Sequence, residues 1–438
     1  MAEMVRDGEL AGRLAAASAK AAALPAHERA AVLTRISEGL AKRAEEFARL
    51  ICAEVKKPIK DARREVARAV FTFRWAGQEA LRLGGEVMPL DLEPGSEGRL
   101  ALTRRFPRGP ALLISPFNFP LNLAAHKIAP AIAVGAPYAH KPSSFARRTA
   151  EELGRLVAAS GWPAEAAAVV AVGGAAAEAL VKDERFGVLS FTGSGAVGWR
   201  LKSLAGKKAV LLELGGNAGV FVGEDADLEP AAARCAWGAN AYAGQVCIKV
   251  QRIFVHEKVY SRFKDLLLRK VAALKVGDPS DEQTDVGPLI TEAEALRVES
   301  WVQEAVSAGA SVLCGGKRRA DFFEPTVLEG VPESCRVSCD EVFGPVTIVA
   351  PVSSPEEGLR RLADTRYGLQ AGLFTKDLNV IMRFWERLPV GGIIVGDVPT
   401  FRSDAMPYGG AKDSGIGREG VRFSMEEYTE LRTLVLRP

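Results

Sequence analysis

One cysteine in a glycine- and glutamine-containing string is the first residue whose type could carry covalent chemistry. Cys247 stands in Gly244-Gln245-Val246-Cys247-Ile248, directly after a predicted helix. A thiolate is a strong nucleophile, but it needs a lowered pKa and a neighbouring base. A lone cysteine in apolar surroundings is usually an inert core thiol. The residue type alone therefore leaves both roles open.

A carboxylate ends a predicted strand in Leu212-Glu213-Leu214-Gly215-Gly216-Asn217. In a Rossmann unit, a carboxylate here would bind the adenosine ribose. Its distance from Gly198 in sequence (213 − 198 = 15) is shorter than the spacing of about 20 that is typical of that role. The rival role is a general base. A solvated surface glutamate is the ordinary alternative, although apolar neighbours and a Gly-Gly turn are less typical of it.

Two further strings follow predicted strands and carry polar side chains. In Ser115-Pro116-Phe117-Asn118-Phe119-Pro120, the aromatics and prolines present the Asn118 amide rigidly, so it could donate to an oxyanion. A turn-forming asparagine is the alternative. In Lys141-Pro142-Ser143, the lysine could reach the ribose or phosphate of a cofactor. An exposed lysine is the default interpretation there.

A glycine-rich turn joins a predicted strand to a predicted helix at Phe191-Thr192-Gly193-Ser194-Gly195-Ala196-Val197-Gly198. Gly193, Gly195 and Gly198 satisfy G-x-G-x-x-G. Small residues at this point let a phosphate approach the helix N–H groups, where the helix dipole favours an anion. The pattern alone is weak evidence, and a simple tight turn is the alternative.

The elements that position these strings form an alternating series. Residues 8–83 are predicted to be helical, with breaks at Pro25 and Pro58, and residues 84–110 to contain a hairpin. Apolar runs then alternate with helical segments, which indicates parallel sheets covered by helices. The predicted strands are 111–114, 136–140, 168–172, 188–191, 209–212, 219–222, 251–255, 311–314, 346–350, 372–374 and 430–436. The predicted helices are 122–134, 145–160, 174–182, 195–205, 228–242, 257–274 and 290–308.

Composition excludes several classes of protein. The chain has 438 residues, too many for one core, and its 48% hydrophobic content excludes a disordered chain. Because 57 basic residues balance 54 acidic ones, neither nucleic acid nor a membrane is expected as a partner. There is no apolar window long enough to span a membrane and no apolar signal core beside Glu3, Asp7 and Glu9, so a cytoplasmic location is expected. Six cysteines and four scattered histidines predict free thiols and no metal site.

Seven strings in the same order make the chain resemble the aldehyde dehydrogenase superfamily over nearly its whole length. They are Pro116-Phe117-Asn118-Phe119-Pro120, Lys141-Pro142-Ser143, Phe191-Thr192-Gly193-Ser194, Glu213-Leu214-Gly215-Gly216-Asn217, Gly244-Gln245-Val246-Cys247, Glu341-Val342-Phe343-Gly344-Pro345, and Pro407-Tyr408-Gly409-Gly410 continuing to Gly415-Ile416-Gly417-Arg418-Glu419. One such string is weak evidence, but seven in order are strong. Within the superfamily, the chain looks most like the lactaldehyde and semialdehyde dehydrogenases.

The resemblance implies a catalytic role for four residues. Cys247 would attack the aldehyde to form a thiohemiacetal, while the Asn118 amide and the Cys247 backbone N–H hold the oxyanion. Loss of hydride to the nicotinamide would leave a thioester. Glu213 would activate the water that hydrolyses this thioester, and Glu419 would act as a proton relay. Members that transfer the acyl group to coenzyme A generally lack a glutamate at the position of Glu213, so its presence favours hydrolysis.

The resemblance also implies a site for NADP or NAD. The expected contacts are Ser115, Phe117, Lys141, Ser143, Ser144, Phe191, Gly193, Ser194, Val197, Leu214, Gly215, Glu341 and Phe343. Relatives that prefer NAD often carry a glutamate three residues after the family lysine, where this chain has Ser144. Without that carboxylate a 2′-phosphate is not repelled, and Lys141 with Arg147 could pair with it. Acceptance of NADP is therefore expected.

The implied substrate is a small polar or anionic aliphatic aldehyde of the lactaldehyde or semialdehyde type. Val246 and Ile248 flank the nucleophile and would contact the substrate. Relatives that oxidise glyceraldehyde 3-phosphate carry an arginine at the position of Val246, so that phosphate pocket is not expected. Arg402 could pair with a carboxylate or phosphonate, although a structural arginine is an equal alternative. Asp397 stands where many relatives have asparagine.

The expected fold is α/β, with two Rossmann-like lobes and a small β hairpin for oligomerisation. The expected division gives residues 1–84 and 109–216 to a cofactor-binding domain and residues 217–405 to a catalytic domain. Residues 85–108 and 422–438 would form a homodimer or homotetramer. Two alternatives remain: a coenzyme A-acylating semialdehyde dehydrogenase, and a non-catalytic structural protein on the same fold.

Overall fold

The computed structural model describes residues 7–437. Residues 1–6 of the expected cofactor-binding domain and Pro438 of the expected oligomerisation segment lie outside the described residues. The helices are α1 Asp7–Ala23, α2 Ala26–Lys42, α3 Ala44–Val55, α4 Ile59–Ala80, α5 Asn122–Val134, α6 Arg147–Ala159, α7 Gly174–Lys182, α8 Gly195–Leu204, α9 Leu228–Asn240, α10 Glu257–Ala272, α11 Glu292–Ser307, α12 Arg336–Cys339, α13 Pro355–Ala363, α14 Leu378–Arg387 and α15 Val421–Glu427.

The strands form two large sheets and three small ones. They are β1 Val87–Pro89, β2 Leu100–Pro107, β3 Ala111–Ile114, β4 Tyr138–Lys141, β5 Ala167–Val169, β6 Val188–Thr192, β7 Ala209–Glu213, β8 Gly219–Val222, β9 Arg252–His256, β10 Ser311–Cys314, β11 Arg318–Arg319, β12 Phe322–Phe323, β13 Thr326–Glu329, β14 Val346–Val352, β15 Tyr367–Gly368, β16 Gln370–Phe374, β17 Gly392–Val395, β18 Ala411–Lys412, β19 Gly415–Ile416 and β20 Thr429–Leu436.

The first large sheet has six strands in the order β19-β7-β6-β3-β4-β5. The pairings from β7 to β5 are all parallel, and β19 is antiparallel to β7. In a parallel sheet the chain must cross over between strands, and here α5, α6, α7 and α8 lie between successive strands in the sequence. All C-terminal strand ends therefore meet at one edge, where the polar strings follow.

The second large sheet has seven strands in the order β10-β13-β14-β9-β8-β16-β17. Its pairings are parallel except at β10, which is antiparallel to β13. Two parallel sheets with connecting helices confirm the predicted α/β class. Among residues 7–437, no helix has both the length and the apolar character that crossing a bilayer requires.

A third, exposed sheet combines the predicted hairpin with the C-terminal strand in the order β1-β2-β20. β2 and β20 are antiparallel over eight residue pairs, with Thr103 opposite Thr433. Apolar side chains stand in solvent here: Leu431 and Leu434 are each 56% exposed. The two segments expected to mediate oligomerisation therefore pair with each other, and their role between subunits remains a prediction.

The helix α4 fixes the loop that follows β3. Glu65, on α4, is buried and accepts hydrogen bonds from the backbone N–H groups of Leu121 (2.8 Å) and Asn122 (3.1 Å). A carboxylate at the start of α5 satisfies N–H groups that the helix itself cannot pair. The buried Lys57 forms an ion pair with Glu65, and its ammonium lies 3.6 Å from the ring centroid of Phe119. These contacts hold the Pro116–Pro120 loop in one position.

Candidate active site

A cavity of about 810 Å³ lies between the two large sheets. Residues that follow β3, β6 and β7 line one side of it, and residues of the second sheet's loops line the other. Of the predicted site residues, the cavity wall contains Phe117, Asn118, Gly193, Ser194, Glu213, Leu214, Gly215, Val246, Cys247, Ile248, Glu341, Phe343 and Arg402. The wall is mainly apolar, with a few convergent polar groups, which is typical of a ligand site.

A strained turn presents Cys247 to this cavity. Three consecutive residues, Tyr242, Ala243 and Gly244, have positive φ angles of 49°, 53° and 71°. Gly244 is required because an added Cβ would lie only 2.2 Å from the carbonyl oxygen of Gly344. The side chain of Gln245 accepts a hydrogen bond of 2.9 Å from the backbone of Ile290. Strain of this kind persists only where the surroundings hold it, and it is frequent at functional sites.

The sulfur of Cys247 lies in an apolar, hydrogen-bonded environment. Burial raises the pKa of the thiol to about 12, and the negative charges of Glu341 and Glu213 act in the same direction. The Tyr408 hydroxyl, 3.1 Å from Sγ, acts to lower that pKa. The thiol is therefore protonated near neutral pH in this state, and a reaction through the thiolate needs a base.

Asn118 is held beside the cysteine loop. Its side-chain amide nitrogen donates a 2.9 Å hydrogen bond to the carbonyl oxygen of Gln245, and the residue is buried. A primary amide has two N–H donors, so one remains for a ligand oxygen in the cavity. Within the described residues, the backbone N–H of Cys247 donates no hydrogen bond.

Glu213 ends β7 and is buried with one unsatisfied oxygen. Its Oε2 has no hydrogen-bond partner among residues 7–437. Burial, and then the negative charge of Glu419, raise the pKa of Glu213 well above its usual value, although Arg402 and Lys127 act to lower it. A carboxyl group with a raised pKa is a better proton acceptor than an ordinary glutamate, which suits a general base.

Glu419 lies behind the cavity wall in a cluster of cations. Its two oxygens accept hydrogen bonds from Lys127 Nζ (2.8 Å) and an Arg402 terminal nitrogen (3.4 Å). Burial alone would raise its pKa, but Lys127, Arg402 and His126 together lower the pKa well below its usual value. The guanidinium of Arg402 also lies 3.8 Å from the ring centroid of Tyr408. Arg402 thus contacts both Glu419 and Tyr408, and the hydroxyl of Tyr408 lies beside the sulfur of Cys247.

The opposite end of the cavity has the features of a nucleotide site. The turn Thr192-Gly193-Ser194 opens α8, and the buried Oγ1 of Thr192 has no partner within the described residues. A Cβ at Gly193 would lie 2.6 Å from the ring of Phe191, so a glycine is needed. Glu341 accepts a 3.0 Å hydrogen bond from the backbone of Gly216, and burial raises its pKa to about 7.

Several predicted site residues do not line the cavity. Ser115 is buried and hydrogen-bonded to His140 (2.8 Å), and the Ser143 hydroxyl accepts from the backbone N–H of Phe145 (3.3 Å). Phe191 is buried and Lys141 is half-buried, whereas Ser144 and Val197 are exposed. Glu419, as described above, is also separate from the cavity.

Sequence reasoning missed several charged or aromatic residues of the cavity, including Arg64, Arg68, Arg234 and Trp237. Arg64 and Arg68, both on α4, line the cavity. Arg68 forms a bidentate salt bridge with Asp404 (2.7 and 3.0 Å). Arg234 is bound to Asp397 in the same way (2.6 and 3.1 Å) and lies over Trp237. The i, i+4 spacing of Arg64 and Arg68 was the available signal for a basic stripe on one helix face.

Comparison with known proteins identifies this arrangement. The model of the aldehyde dehydrogenase family matches residues 7–434. The chain belongs to the aldehyde dehydrogenase family. It is 44% identical over 411 residues to 3-sulfolactaldehyde dehydrogenase of Priestia aryabhattai, covering 94% of this chain and 86% of that one. It is 40% identical to lactaldehyde dehydrogenase of Methanocaldococcus jannaschii, covering 94% of this chain and 89% of that one.

Solved aldehyde dehydrogenase structures share the whole fold. Aldehyde dehydrogenase 21 from Physcomitrella patens, in complex with the reaction product succinate, is 42% identical with a TM-score of 0.97, covering 99% of this chain and 91% of that one. The glyceraldehyde-3-phosphate dehydrogenase GapN from Methanocaldococcus jannaschii, complexed with NADP, is 38% identical with a TM-score of 0.95, covering 99% of this chain and 94% of that one.

This chain is therefore an oxidoreductase that acts on aldehydes with NAD(P) as its cofactor. The cavity fits a dinucleotide of that kind. A helix N-terminus and an unpaired hydroxyl suit a pyrophosphate, the carboxylate of Glu341 suits ribose hydroxyls, and the rings of Phe117 and Phe343 supply an apolar wall. Those rings meet edge to face, with centroids 6.1 Å apart.

Proposed function

We propose that this aldehyde dehydrogenase oxidises a small anionic aldehyde to its carboxylic acid through a covalent adduct on Cys247. The observation that carries the proposal is the convergence of three groups on one end of the cavity: a thiol, an amide donor and a carboxyl group with a raised pKa. They are Cys247, Asn118 and Glu213. A nucleophile, an oxyanion donor and a base are the parts that acyl-type catalysis needs.

The first step forms a carbon–sulfur bond. The proton of the Cys247 thiol passes to Glu213, the sulfur adds to the aldehyde carbon, and the carbonyl π electrons move to oxygen. The second N–H of Asn118 and the backbone N–H of Cys247 stabilise that oxygen as its charge develops. NAD(P), when bound, supplies the hydride acceptor that turns this adduct into a thioester.

The second step cleaves the thioester with water. Glu213 first releases the thiol proton to solvent and then removes a proton from the water, whose oxygen attacks the acyl carbon and expels the Cys247 thiolate. This role is supported by the burial and the unpartnered Oε2 of Glu213. It favours a free acid as product over transfer to coenzyme A, the main alternative reaction. Glu419 holds its negative charge beside Lys127 and acts on Glu213 through electrostatic repulsion.

NADP acceptance is part of the proposal. The exposed Ser144 presents no carboxylate, and the half-buried Lys141 stands nearby in sequence. Arg147, a second cation at this end, is held by Glu151 at 2.8 Å. The solved relative GapN, complexed with NADP, supports this assignment. The remaining predicted contacts, Ser143 and Val197 among them, stay predictions.

The proposal that the substrate is anionic rests on arginines that line the cavity. Arg64, Arg68 and Arg402 line the same cavity as Cys247, while Val246 and Ile248 contribute apolar surface. Arginine suits planar or tetrahedral anions because its donors are fixed in a fork. The names of the similar proteins agree, since sulfolactaldehyde and sulfoacetaldehyde are sulfonates and succinate is a dicarboxylate.

We further propose the domain division and assembly expected from sequence. Residues up to 84 and 109–216, which include most of the six-stranded sheet, would bind the cofactor, and residues 217–405 would carry the nucleophile. The apolar side chains exposed on β20 support a homo-oligomer, because an exposed apolar edge strand needs a partner.

The test follows absorbance of the reduced cofactor with a panel of aldehydes. The panel contains lactaldehyde, succinic semialdehyde, a sulfonated aldehyde, glyceraldehyde 3-phosphate and propanal, each with NAD and with NADP. We expect reduction without coenzyme A, faster with the anionic aldehydes, and abolished in Cys247→Ala. The exposed Cys339→Ala variant is the matched control and keeps full activity. Reduction that requires coenzyme A, or that persists in Cys247→Ala, would refute the mechanism.

A further inference from the structure

The side chain of Tyr408 contacts the sulfur on which the reaction depends. Of the described side chains, only Tyr408 lies within hydrogen-bond distance of Cys247 Sγ, at 3.1 Å. The two residues are 161 positions apart in sequence. Sequence reasoning quoted Tyr408 within a motif and assigned it no function. Its ring alone would suffice to fill space, so the position of the hydroxyl needs a separate explanation.

The backbone and ring of Tyr408 are both fixed. It pairs with Glu419 through two backbone hydrogen bonds, from Tyr408 N–H to Glu419 O (2.9 Å) and from Glu419 N–H to Tyr408 O (2.6 Å). The guanidinium of Arg402 lies 3.8 Å from the ring centroid. The residue is 3% exposed. The hydroxyl is thus aimed at Sγ by a scaffold that does not depend on substrate.

The direction of the hydrogen bond follows from the environment. Burial raises the pKa of Tyr408 well above its usual value, so the phenol keeps its proton through the pH range of catalysis. A sulfur that has lost its proton can only accept. The cation over the ring also withdraws electron density from the phenol, which strengthens its O–H as a donor. A hydrogen bond to an ionised group is stronger than one to a neutral group.

We propose that Tyr408 is a catalytic residue that donates its hydroxyl proton in a hydrogen bond to the Cys247 thiolate and stabilises it before attack. This inference rests on the proposed function of Cys247 as the nucleophile. The phenol stays protonated throughout. The thiol proton still passes to Glu213, and when the carbon–sulfur bond forms the sulfur loses its negative charge and the hydrogen bond weakens. Tyr408 thus compensates part of the burial that opposes thiolate formation.

The experiment measures the ionisation of Cys247 directly. The rate of iodoacetamide labelling is followed from pH 6 to pH 10 on the full chain, and the labelled peptide is identified by mass spectrometry. A charge-assisted hydrogen bond of ordinary strength corresponds to about one pH unit or more in the thiol pKa. Because the pKa of Cys247 lies above this range, the labelling rate at each pH is proportional to the thiolate fraction. In Tyr408→Phe, which keeps the ring and loses only the hydroxyl, we expect that rate to fall about tenfold at every pH.

A matched control removes a phenol elsewhere. Tyr260, whose hydroxyl donates to Glu329 far from the cavity, is replaced in Tyr260→Phe. This variant should label like the unmodified enzyme. Binding of NADP, measured by quenching of tryptophan fluorescence, and the melting temperature should be unchanged in Tyr408→Phe. A labelling profile of Tyr408→Phe that coincides with that of the unmodified enzyme would overturn the proposal.

A second variant should change the labelling of Cys247 in the opposite direction. Its result does not depend on the stability of Tyr408→Phe. Replacement of Tyr408 by 3-fluorotyrosine gives a more acidic phenol and hence a stronger donor, so Cys247 should label faster at each pH. An unchanged or lower labelling rate would contradict the proposal even if Tyr408→Phe were unstable. If cofactor reduction persists in Cys247→Ala, the function of Cys247 fails instead, and the two failures remain distinct.

Discussion

Two buried glutamates near the same cavity have opposite electrostatic surroundings. Glu213, at the end of β7, has an unpaired oxygen and a pKa raised by burial and by Glu419. Glu419 is equally buried, but Lys127 and Arg402 bond both of its oxygens and lower its pKa. The two side chains share a chemical type and a burial class, so the placement of the cations alone accounts for the difference.

The comparison assigns the two carboxylates different tasks. A glutamate held permanently charged cannot take up a proton near neutral pH, so Glu419 acts as a fixed negative charge. That charge raises the pKa of Glu213 and makes Glu213 the better proton acceptor. Divergent environments for a pair of titratable groups are a recurring signature of acid–base sites.

The largest expected effect comes from removing the base. Glu213→Gln keeps the shape of the side chain but cannot accept a proton, so turnover should fall by about 10²–10⁴. Steady-state cofactor reduction measures the loss. The control is Glu224→Gln, which removes an exposed glutamate paired with Lys258 and should leave turnover unchanged. If turnover of Glu213→Gln stayed within tenfold of that of the unmodified enzyme, Glu213 would not be the base.

The second prediction concerns stability against pH, and the two glutamates should have opposite slopes. The folded pKa of Glu419 lies below its ordinary value of 4.5, so the unfolded chain binds more protons between those values. Its contribution to the free energy of unfolding is therefore present above pH 4.5 and is lost as the pH falls toward the folded pKa. Glu213 has a raised folded pKa, so ionisation of Glu213 destabilises the fold as the pH rises above 4.5.

Thermal or urea unfolding at pH 8 measures this contrast. Glu419→Gln should destabilise the protein by about 3–5 kcal/mol, since it leaves Lys127 buried without its charge partner. Glu213→Gln should leave stability unchanged or raise it at the same pH. If both variants changed the free energy of unfolding in the same direction and by the same amount, the electrostatic distinction between the glutamates would be wrong.

The smallest expected effect lies at the mouth of the cavity. Arg64 is 67% exposed and has only a 3.5 Å contact with Asp61, so its removal costs little stability. Arg64→Ala should raise KM for an anionic aldehyde about threefold to tenfold, with kcat and the KM for propanal unchanged. Arg63→Ala is the matched control, because that arginine binds Glu45 and Glu282 and does not line the cavity. An equal rise in KM for propanal would contradict the anion role.

Much of the fold could be predicted from sequence where apolar runs are long and bounded. The helices Asn122–Val134 and Gly174–Lys182 and the strands Gly219–Val222 and Ser311–Cys314 have the predicted bounds. The strand Thr326–Glu329 was missed, because only two apolar residues, Val327 and Leu328, stand there between a threonine and a glutamate. The antiparallel direction of Ser311–Cys314 depends on its neighbour in space and leaves no local signal.

The candidate site was predicted as a set of motifs and not as a set of contacts. Asn118, Glu213 and Cys247 stand in strings distinct enough to be recognised, and all three line one cavity. Arg64 and Arg68 look like ordinary charges on a helix surface until the fold places them beside the cavity. The contact between Tyr408 and Cys247 joins distant segments, so only the three-dimensional structure reveals it.

The most direct test of the central claim is to trap the acyl intermediate. The unmodified enzyme, quenched in acid during turnover of the preferred aldehyde with NADP and then digested, should show a thioester on the peptide that contains Cys247. Its mass increase should equal that of the acyl group, and hydroxylamine should remove it. An acyl group on another residue, or one equivalent of reduced cofactor formed with no adduct on Cys247, would contradict the account.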